Sequence, residues 1–462
     1  MKLLFIRSNI IPNLLVVTFL LVVLYGCQKT DPLSSPSTTE LNELSKVKRL
    51  GDKHNMESAD FVYEWYKSLA AIQLPEAPLS AVVGYRNFAY IGVGLFESVQ
   101  PGIKGGSSFS SKLYQMPAMP KPDMSKEYLW SASANAAMAR MAKLFLTNLT
   151  AANKTSIDMI EAANYNQFKS MASEDVLQRS QAFGRSVADA IYNWSTTDNF
   201  TVASDGWVPL VFPGSWVPTA TPPAIYGAYV GESTPMLRYS LKALAPPIPV
   251  PYSTDPSSAF YKAAKEVYDI GISQNPALQA TARWWGDAGG RGLGYPAPYH
   301  LVSIVTKVLQ NHNAGLWKAA EVYAKTGIAM KDGPIISFRS KYYYNLLRPI
   351  TYINQNIDAF WNSTLPSPPY PDYTSGLVSN YGPVIQILIR HFGDVPITDD
   401  LYTWRGWPAR TYSSLSQLLQ DVAYSRIYAG IHYRFTQDVS IAMGIELGNE
   451  IEKVRVVGPE YQ

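Results

Sequence analysis

The sequence of 462 residues contains a single cysteine and few charged side chains. Because Cys27 has no partner, no disulfide can form within the chain. Asp, Glu, Lys and Arg together make up 16% of the residues, the net charge is +3, and no long basic run occurs. These properties argue against binding to nucleic acid, so no nucleic-acid partner is expected.

Long apolar runs are also scarce, since only residues 14–24 (LLVVTFLLVVL) form one, and it is short for a membrane span. Lys2 and Arg7 precede this run, and Leu-Tyr-Gly leads directly to Cys27. A charged start, a short apolar segment and small residues before a cysteine are typical of a bacterial lipoprotein signal peptide. A simple signal anchor with an incidental cysteine is the alternative.

The signal predicts three regions along the chain. Residues 1–27 are the lipoprotein signal peptide ending at the lipidated Cys27, residues 28–56 are a polar linker, and residues 57–462 are the folded domain. The expected location is the bacterial cell envelope, with the exported protein attached to a membrane, foremost the outer membrane, through the lipid on Cys27.

The alternation of polar and apolar residues that marks strands is missing, and so is any repeat of fixed period. Apolar residues instead recur at three- and four-residue spacing, as in DFVYEWYKSLAAIQ and GLWKAAEVYAKTGIAM. Residues 207–257 interrupt this pattern with many prolines and aromatics, and a loop of that length is expected to wrap the surface or form the rim of a site. We predict an all-α fold, a single large helical-bundle domain with a long loop rich in proline and aromatics.

The first segment with chemical potential is KYYYNLLRP, residues 341–349. On one continuous helix, Lys341 and Arg348 would lie within about 20° of each other, because seven residues make two turns. Pro349 is expected to end that helix by excluding the α region for the residue before it. Two cations on one face can share an anion. Two solvated charges are the alternative interpretation.

The second segment is PPYPDYTSGL, residues 368–377. Thr374 or Ser375 is a natural N-cap, and the N–H groups at a helix start carry partial positive charge. Ser375 adds a hydroxyl, and Gly376 allows a bound group to approach the backbone. These features make a general oxyanion site. Helix capping alone would select the same residues.

The third segment is SRIYAGIHYRF, residues 425–435. On an unbroken helix Arg426 and His432 would point about 120° apart. Gly430 can end the first helix and let the chain return His432 to the side of Arg426. A histidine that is merely buried in the core is the commoner case.

In this order, Lys-x6-Arg-Pro, Ser-Gly and Ser-Arg-x5-His resemble the signature of the vanadium-dependent haloperoxidases and the type 2 phosphatidic acid phosphatases. PPYPDYTSG is similar to the family's Pro-Pro-aromatic-Pro-x-Tyr-Pro-Ser-Gly run, and SRIYAGIHYRF is similar to its last motif. The resemblance extends over roughly residues 61–454, with the motifs in 341–438, and is strongest to the soluble bacterial haloperoxidase-like branch.

The resemblance implies that vanadate, or phosphate in its place, binds between helices of the bundle. It assigns the apical position to His432, which would be the metal ligand or, in a phosphatase, the nucleophile. The other motif residues would hold the oxygens of the anion. The implied anion-binding residues are Lys341, Arg348, Ser375, Gly376 and Arg426.

The sequence departs from the family at two positions. Leu377 stands where the family has its acid–base histidine, and leucine cannot transfer a proton. His391 is about 21 Å further along a straight helix and is too distant to replace it. Tyr370, Asp372 and Tyr373 are closer in sequence, but nothing in the sequence shows that they point inward. Thr436 stands where the family usually has an acidic residue that orients the histidine, and Asp438 lies two positions further on.

The leading hypothesis is a haloperoxidase-like enzyme that oxidises halide, or an organic acceptor, with hydrogen peroxide, with activity weakened or changed by Leu377. A phosphatase of the same superfamily acting on a phosphoester is one alternative, and it would suffer more from the missing acid. A non-catalytic oxyanion-binding envelope lipoprotein is another. The oligomeric state is left open, with a homodimer among the alternatives.

Overall fold

The structure, a computed structural model, describes residues 57–73, 81–146, 149–219, 223–241, 246–287 and 294–458. All of them belong to one compact unit, Asp52–Gln462. The predicted signal peptide and linker, residues 1–56, lie outside the described residues. No helix in the described ranges combines the length and apolar character needed to cross a bilayer.

Helices dominate the described part of the chain, which confirms the all-α prediction. Two short strands, which the sequence pattern did not reveal, form an antiparallel hairpin in which Ile397 pairs with Tyr412. The strands are β1 (Ile397–Asp399) and β2 (Arg410–Tyr412). The helices are α1 (Asp60–Gln73), α2 (Ala81–Val99), α3 (Trp130–Phe145), α4 (Ala151–Phe168), α5 (Glu174–Ser195), α6 (Ala259–Ser273), α7 (Pro276–Trp284), α8 (Ala297–Asn311), α9 (Leu316–Tyr344), α10 (Pro349–Asn356), α11 (Val378–Phe392), α12 (Leu415–Tyr428) and α13 (Arg434–Glu452).

The long helix α9 lies at the centre of the bundle and is buried over most of its length. Helix α2 packs along it so closely that a Cβ added at Gly92 would lie 2.3 Å from the carbonyl oxygen of Tyr323. The same closeness occurs between α11 and α13, where a Cβ on Gly444 would lie 2.8 Å from the Cα of Gly382. Glycine at these contacts brings the helices that carry the candidate site residues close together.

Helix α4 was not predicted from the apolar spacing. Its sequence, AANKTSIDMIEAANYNQF, is largely polar, and only Ile157, Asn164 and Phe168 are buried. The side chain of Thr150 accepts a hydrogen bond from the N–H of Asn153 and caps the helix start. A helix that packs through so few positions has a weak apolar period, which explains the omission.

The prediction that Lys341 and Arg348 share one helix face is wrong. Helix α9 ends at Tyr344, because Asn345 adopts a left-handed conformation with φ of 45°. The long loop binds the backbone here, as the N–H of Trp216 donates to the carbonyl oxygen of Asn345 at 2.7 Å. Arg348 is extended, as expected before proline, but Pro349 begins the new helix α10.

The predicted long loop both wraps α9 and contributes to the rim of a cavity. In the described parts of residues 207–257, the only helical turns are two short 3₁₀ turns, Val230–Glu232 and Tyr239–Leu241. The guanidinium of Arg339, on α9, donates to the carbonyl oxygen of Gly231 at 3.1 and 3.2 Å. These hydrogen bonds fasten the loop across the central helix.

Candidate functional site

The three sequence segments meet around three buried cations. Lys341 lies in the last turn of α9, Arg348 directly precedes α10, and Arg426 lies near the end of α12. Their exposures are 0% for Lys341, 0% for Arg348 and 7% for Arg426. Burying like charges together is unfavourable, so the arrangement requires compensating negative charge.

Lys341 is held by main-chain oxygens from the second segment. Its Nζ donates to the carbonyl oxygens of Asp372 at 2.8 Å and Pro371 at 3.0 Å. The ring of Tyr370 lies 5.0 Å from the ammonium and 5.1 Å from the guanidinium of Arg348. Burial and the charge of Arg348 hold the pKa of Lys341 well below its usual range. A bound anion would favour the charged form of this lysine.

The two arginines retain hydrogen-bond donors without partners. Arg348 uses Nε to donate to the carbonyl oxygen of Tyr370 at 2.9 Å and Nη1 to donate to that of Ile431 at 2.8 Å. Its Nη2, and both Nε and Nη2 of Arg426, are buried and have no partner among the described residues. Unpaired buried charged donors are costly, and the oxygens of a small oxyanion would satisfy them.

The second segment brings a helix start to these cations. Helix α11 begins at Val378, and its N-cap is Leu377 without a side-chain cap, so the predicted N-cap at Thr374 or Ser375 is wrong. The N–H of Ser375 donates to Ser440 Oγ at 2.9 Å. Among the described residues the N–H of Gly376 has no hydrogen-bond partner.

Gly376 also leaves room for a ligand. A Cβ added at this position would come within 4 Å of a single group, the Cε of Lys341, at 3.8 Å. The free N–H, the adjacent helix start and the open space beside a lysine fit an oxyanion.

His432 reaches the site through the turn after α12. The chain ends this helix at Tyr428, Gly430 takes a φ of 79°, and the N–H of Ile431 donates to the carbonyl oxygen of Arg426 at 3.1 Å. The helix ends before Gly430, as the sequence predicts, and the turn places His432 beside Arg348. Its Nε2 lies 3.1 Å from Nη1 of Arg348.

A carboxylate that the sequence could not place, that of Asp372, lies beside Nδ1 of the imidazole. Asp372 Oδ1 is 2.7 Å from His432 Nδ1, and Thr436 Oγ1 donates to Asp372 Oδ2 at 2.5 Å. The signal for it was an acidic residue three positions before Ser375, inside the second motif. Spacing could not show that its side chain points inward.

Burial and the neighbouring cations determine the protonation of this pair. Burial lowers the pKa of His432 to about 3, assisted by Arg348 and Lys341 and opposed by Asp372. Burial alone would raise the pKa of Asp372, but His432, Arg348 and Lys341 hold it below its usual value. The imidazole is therefore neutral at neutral pH, and with its proton on Nδ1 it offers a lone pair on Nε2.

A cavity of about 560 Å³ adjoins this cluster. Gly376, Leu377 and Arg426 contribute to its wall, which is otherwise mainly apolar. Leu377 thus faces the space where the resemblance expects an acid–base histidine. Asp287 also lines the cavity, but its Oδ1 accepts from Tyr402 at 2.8 Å and lies 2.7 Å from His300 Nδ1.

The remaining sequence candidates point elsewhere. His391 pairs with Glu452, with 3.2 Å between Nε2 and Oε1. Tyr373 donates its hydroxyl to the carbonyl oxygen of Pro247 at 2.7 Å. Asp438 is exposed and therefore does not orient His432. Its nearest charged neighbours are Arg434 and Glu266.

The type of donor indicates the kind of ligand. Within the described ranges there is no group of three or more His, Cys, Asp or Glu residues that could hold a bare metal cation. The site instead combines three cations, the buried carboxylate of Asp372, an N–H at a helix start and one neutral imidazole. This set fits vanadate or phosphate, which are oxyanions, with the imidazole as the single nitrogen donor.

Comparisons with known proteins identify similar chains. The family model described as the VCPO second helical-bundle domain matches residues 321–456, which contain all three motifs. The first bacterial vanadium-dependent iodoperoxidase of known structure is similar with a TM-score of 0.77 and 27% identity, covering 88% of this chain and 98% of that chain. No curated protein matches the sequence.

Two structures of a bacterial vanadium-dependent chloroperoxidase are also similar. The holo form has a TM-score of 0.61 and 15% identity, covering 82% of this chain and 93% of that chain. The apo form has a TM-score of 0.60 and 15% identity, covering 87% of this chain and 99% of that chain. At this identity, the likeness shows the fold alone.

Proposed function

Since the family model and the solved structures identify this chain as a member of the vanadium haloperoxidase and type 2 phosphatidic acid phosphatase superfamily, we propose that it binds vanadate and oxidises halide with hydrogen peroxide. The proposed ligands are Lys341, Arg348, Ser375, Gly376, Arg426 and His432. A haloperoxidase-type function follows from the family, whereas the individual residues and the substrate are our proposal.

One observation carries the proposal. Three guanidinium nitrogens, Nη2 of Arg348 with Nε and Nη2 of Arg426, are buried without partners in the described residues. The neutral His432 lies beside Arg348. An anion with several oxygens would accept hydrogen bonds from all three nitrogens.

Each residue has a role that follows from its position. Bound vanadate would supply Lewis-acid activation of hydrogen peroxide. Lys341, Arg348 and Arg426 hold negative charge in a buried place, and Gly376 adds an N–H at the positive end of α11. His432 presents Nε2 as the nitrogen donor, since Asp372 holds the opposite ring nitrogen.

The cavity favours easily oxidised substrates. Leu377 offers no proton at the wall, and the most demanding halide, chloride, depends most on assisted proton transfer. Iodide, which is oxidised most readily, is therefore the first halide to test, and the similar solved structure is that of an iodoperoxidase. With about 560 Å³, the cavity also has room for an organic acceptor such as a thioether.

The decisive experiment is a titration of the purified protein with vanadate, followed by an assay of iodide and bromide oxidation that depends on both vanadate and peroxide. We expect binding and turnover in the wild type, and loss of both in His432→Ala. His312→Ala, which alters an exposed histidine, is the matched control and should behave as the wild type. A protein that does not bind vanadate, or whose binding survives His432→Ala, would contradict the proposal.

The same preparation separates the two alternatives. An aryl phosphate needs little protonation of its leaving group, so hydrolysis inhibited by vanadate would identify a phosphatase despite Leu377. Vanadate binding without oxidation of any halide and without phosphate release would identify a non-catalytic oxyanion-binding protein.

A further inference from the structure

The carboxylate that contacts His432 comes from a different part of the chain than the resemblance would place it. The family's usual position, four residues after the histidine, is occupied here by Thr436, and Asp438 is exposed. Asp372, from the loop that leads to Ser375, lies 2.7 Å from His432 Nδ1. Asp372, Thr436 and His432 are all buried, with 0%, 0% and 4% exposure.

Thr436 supports this carboxylate. Its hydroxyl donates to Asp372 Oδ2 at 2.5 Å from the first turn of α13. Asp372 is therefore contacted at both side-chain oxygens: Oδ2 accepts from Thr436, and Oδ1 lies 2.7 Å from His432 Nδ1 and 3.6 Å from Arg348 Nη1. Thr436, at the family's usual acidic position, thus donates a hydrogen bond to the carboxylate of Asp372, which belongs to another segment.

The main chain of Asp372 ties the same residue to the first motif. Its N–H donates to the carbonyl oxygen of Leu346 at 2.9 Å, and its carbonyl oxygen accepts from Lys341 Nζ at 2.8 Å. One residue thus aligns a lysine through its backbone and a histidine through its side chain. A substitution of the Asp372 side chain leaves these backbone contacts in place. The alignment of His432 can therefore be tested without removing the backbone contact to Lys341.

We propose that Asp372, oriented by Thr436, is the positioning residue of this site: it holds the proton of His432 on Nδ1 and directs Nε2 toward the oxyanion. The inference rests on the proposed function, since it assigns a ligand role to Nε2. Carboxylates that accept from the far nitrogen of a ligating histidine fix its tautomer and ring orientation. Here Asp372 would do so from the loop that also carries Ser375 and Gly376.

The test compares Asp372→Asn with a variant that moves the carboxylate. Asparagine preserves size but provides both donor and acceptor groups, so the preference for a proton on Nδ1 is lost. We expect the dissociation constant for vanadate to rise about 10- to 100-fold. In the double variant Asp372→Asn/Thr436→Asp, which places the acid at the family's usual position, we expect recovery of at least part of this affinity. Asp438→Asn is the matched control and should not change the affinity.

A second readout does not depend on vanadate. Nitrogen NMR of the imidazole in the ligand-free protein reports which ring nitrogen carries the proton. We expect a single Nδ1-protonated form for His432 in the wild type and in Asp438→Asn, and a mixture or the opposite tautomer in Asp372→Asn. This measurement tests the role of Asp372 even if the wild type fails to bind vanadate, which would defeat only the proposed function.

Thr436→Val covers the case in which Asp372→Asn does not fold. It removes only the hydroxyl that holds Asp372 Oδ2, and we expect a change in the same direction for both readouts, smaller than that of Asp372→Asn. Unchanged tautomer and unchanged vanadate affinity in a folded Asp372→Asn protein would overturn the inference. So would unchanged values in Thr436→Val if Asp372→Asn is unfolded.

Discussion

Leu377 stands where the sequence resemblance leads us to expect an acid–base histidine. It is half-buried and lines the cavity beside Gly376 and Arg426. Asp287, the carboxylate that lines this cavity in the described ranges, contacts His300 through Oδ1. The site therefore combines an anion-binding arrangement with an aliphatic side chain at the expected place of the proton donor.

We predict that Leu377→His increases peroxide-dependent bromide oxidation. A positioned acid–base group typically contributes about 10²- to 10⁴-fold, so a gain toward the lower end is expected because the surroundings are not adapted to it. The measurement is the steady-state rate with saturating vanadate. Leu365→His puts a histidine elsewhere in the same cavity wall and should bring no such gain. Equal rates in the wild type and Leu377→His would show that this position does not serve proton transfer.

At the scale of elements, the contact between α11 and α13 determines the distance between two site segments. Helix α11 follows Ser375 and Gly376, and α13 follows His432. The helices touch through glycine backbones, since a Cβ on Gly444 would meet the Cα of Gly382 at 2.8 Å. An added methyl group would have to push the two helices apart.

We predict that Gly444→Ala destabilises the protein and weakens vanadate binding together. Overpacking of a close contact costs about 1–3 kcal/mol, which exceeds the gain of up to about 1 kcal/mol from the better helix propensity of alanine. Urea unfolding gives the free energy of unfolding, and a vanadate titration gives the affinity. Ala442→Ser, at an exposed position of α13, should change neither. A more stable Gly444→Ala protein would contradict the importance of this close approach.

At the scale of the whole molecule, His300 joins segments that are distant in sequence. On α8, its Nδ1 lies 2.7 Å from Asp287 Oδ1 and its Nε2 lies 2.8 Å from Asp399 Oδ2. The ring stacks on Trp285 at 4.5 Å. Burial lowers the pKa of His300, but the carboxylates of Asp287 and Asp399 outweigh it and raise the pKa to about 10.

This pKa predicts how stability changes with pH. The folded pKa is above the unfolded value of about 6.5, so the contribution of His300 is complete below that pH and is lost as the pH rises to about 10. The free energy of unfolding should fall across this interval, on the order of 1 kcal/mol per pH unit. Urea unfolding at several pH values measures it. In His300→Gln this part of the pH dependence should be absent, and an unchanged slope would contradict the assignment.

We propose that the domain is attached to a membrane of the bacterial cell envelope through a lipid on Cys27. The basis is the signal-like sequence of residues 1–27, which lies outside the described structure. Expressed in a bacterium with its own leader, the protein should incorporate labelled fatty acid and sediment with membranes. Cys27→Ser should abolish the label and release most of the protein, and retention of the label would show that another residue is modified.

Much of the helical architecture was predictable because its helices have regular apolar spacing. Helix α4 was missed because it buries only three residues, and the hairpin of β1 and β2 was missed because each strand has only three residues. The end of α9 was placed too late. The left-handed Asn345 accepts a hydrogen bond from the N–H of Trp216 in the long loop, and local spacing contains no information about that contact.

The all-α class, the three motifs and the leucine at position 377 follow from residue type and order alone. Tertiary structure decided how the motifs meet: a turn at Asn345 rather than one helix face brings Lys341 and Arg348 together. It also decided that Asp372, and not an acid on α13, faces His432. Such contacts arise from the packing of distant segments. The fold, and not the local sequence, determines which carboxylate lies next to the imidazole.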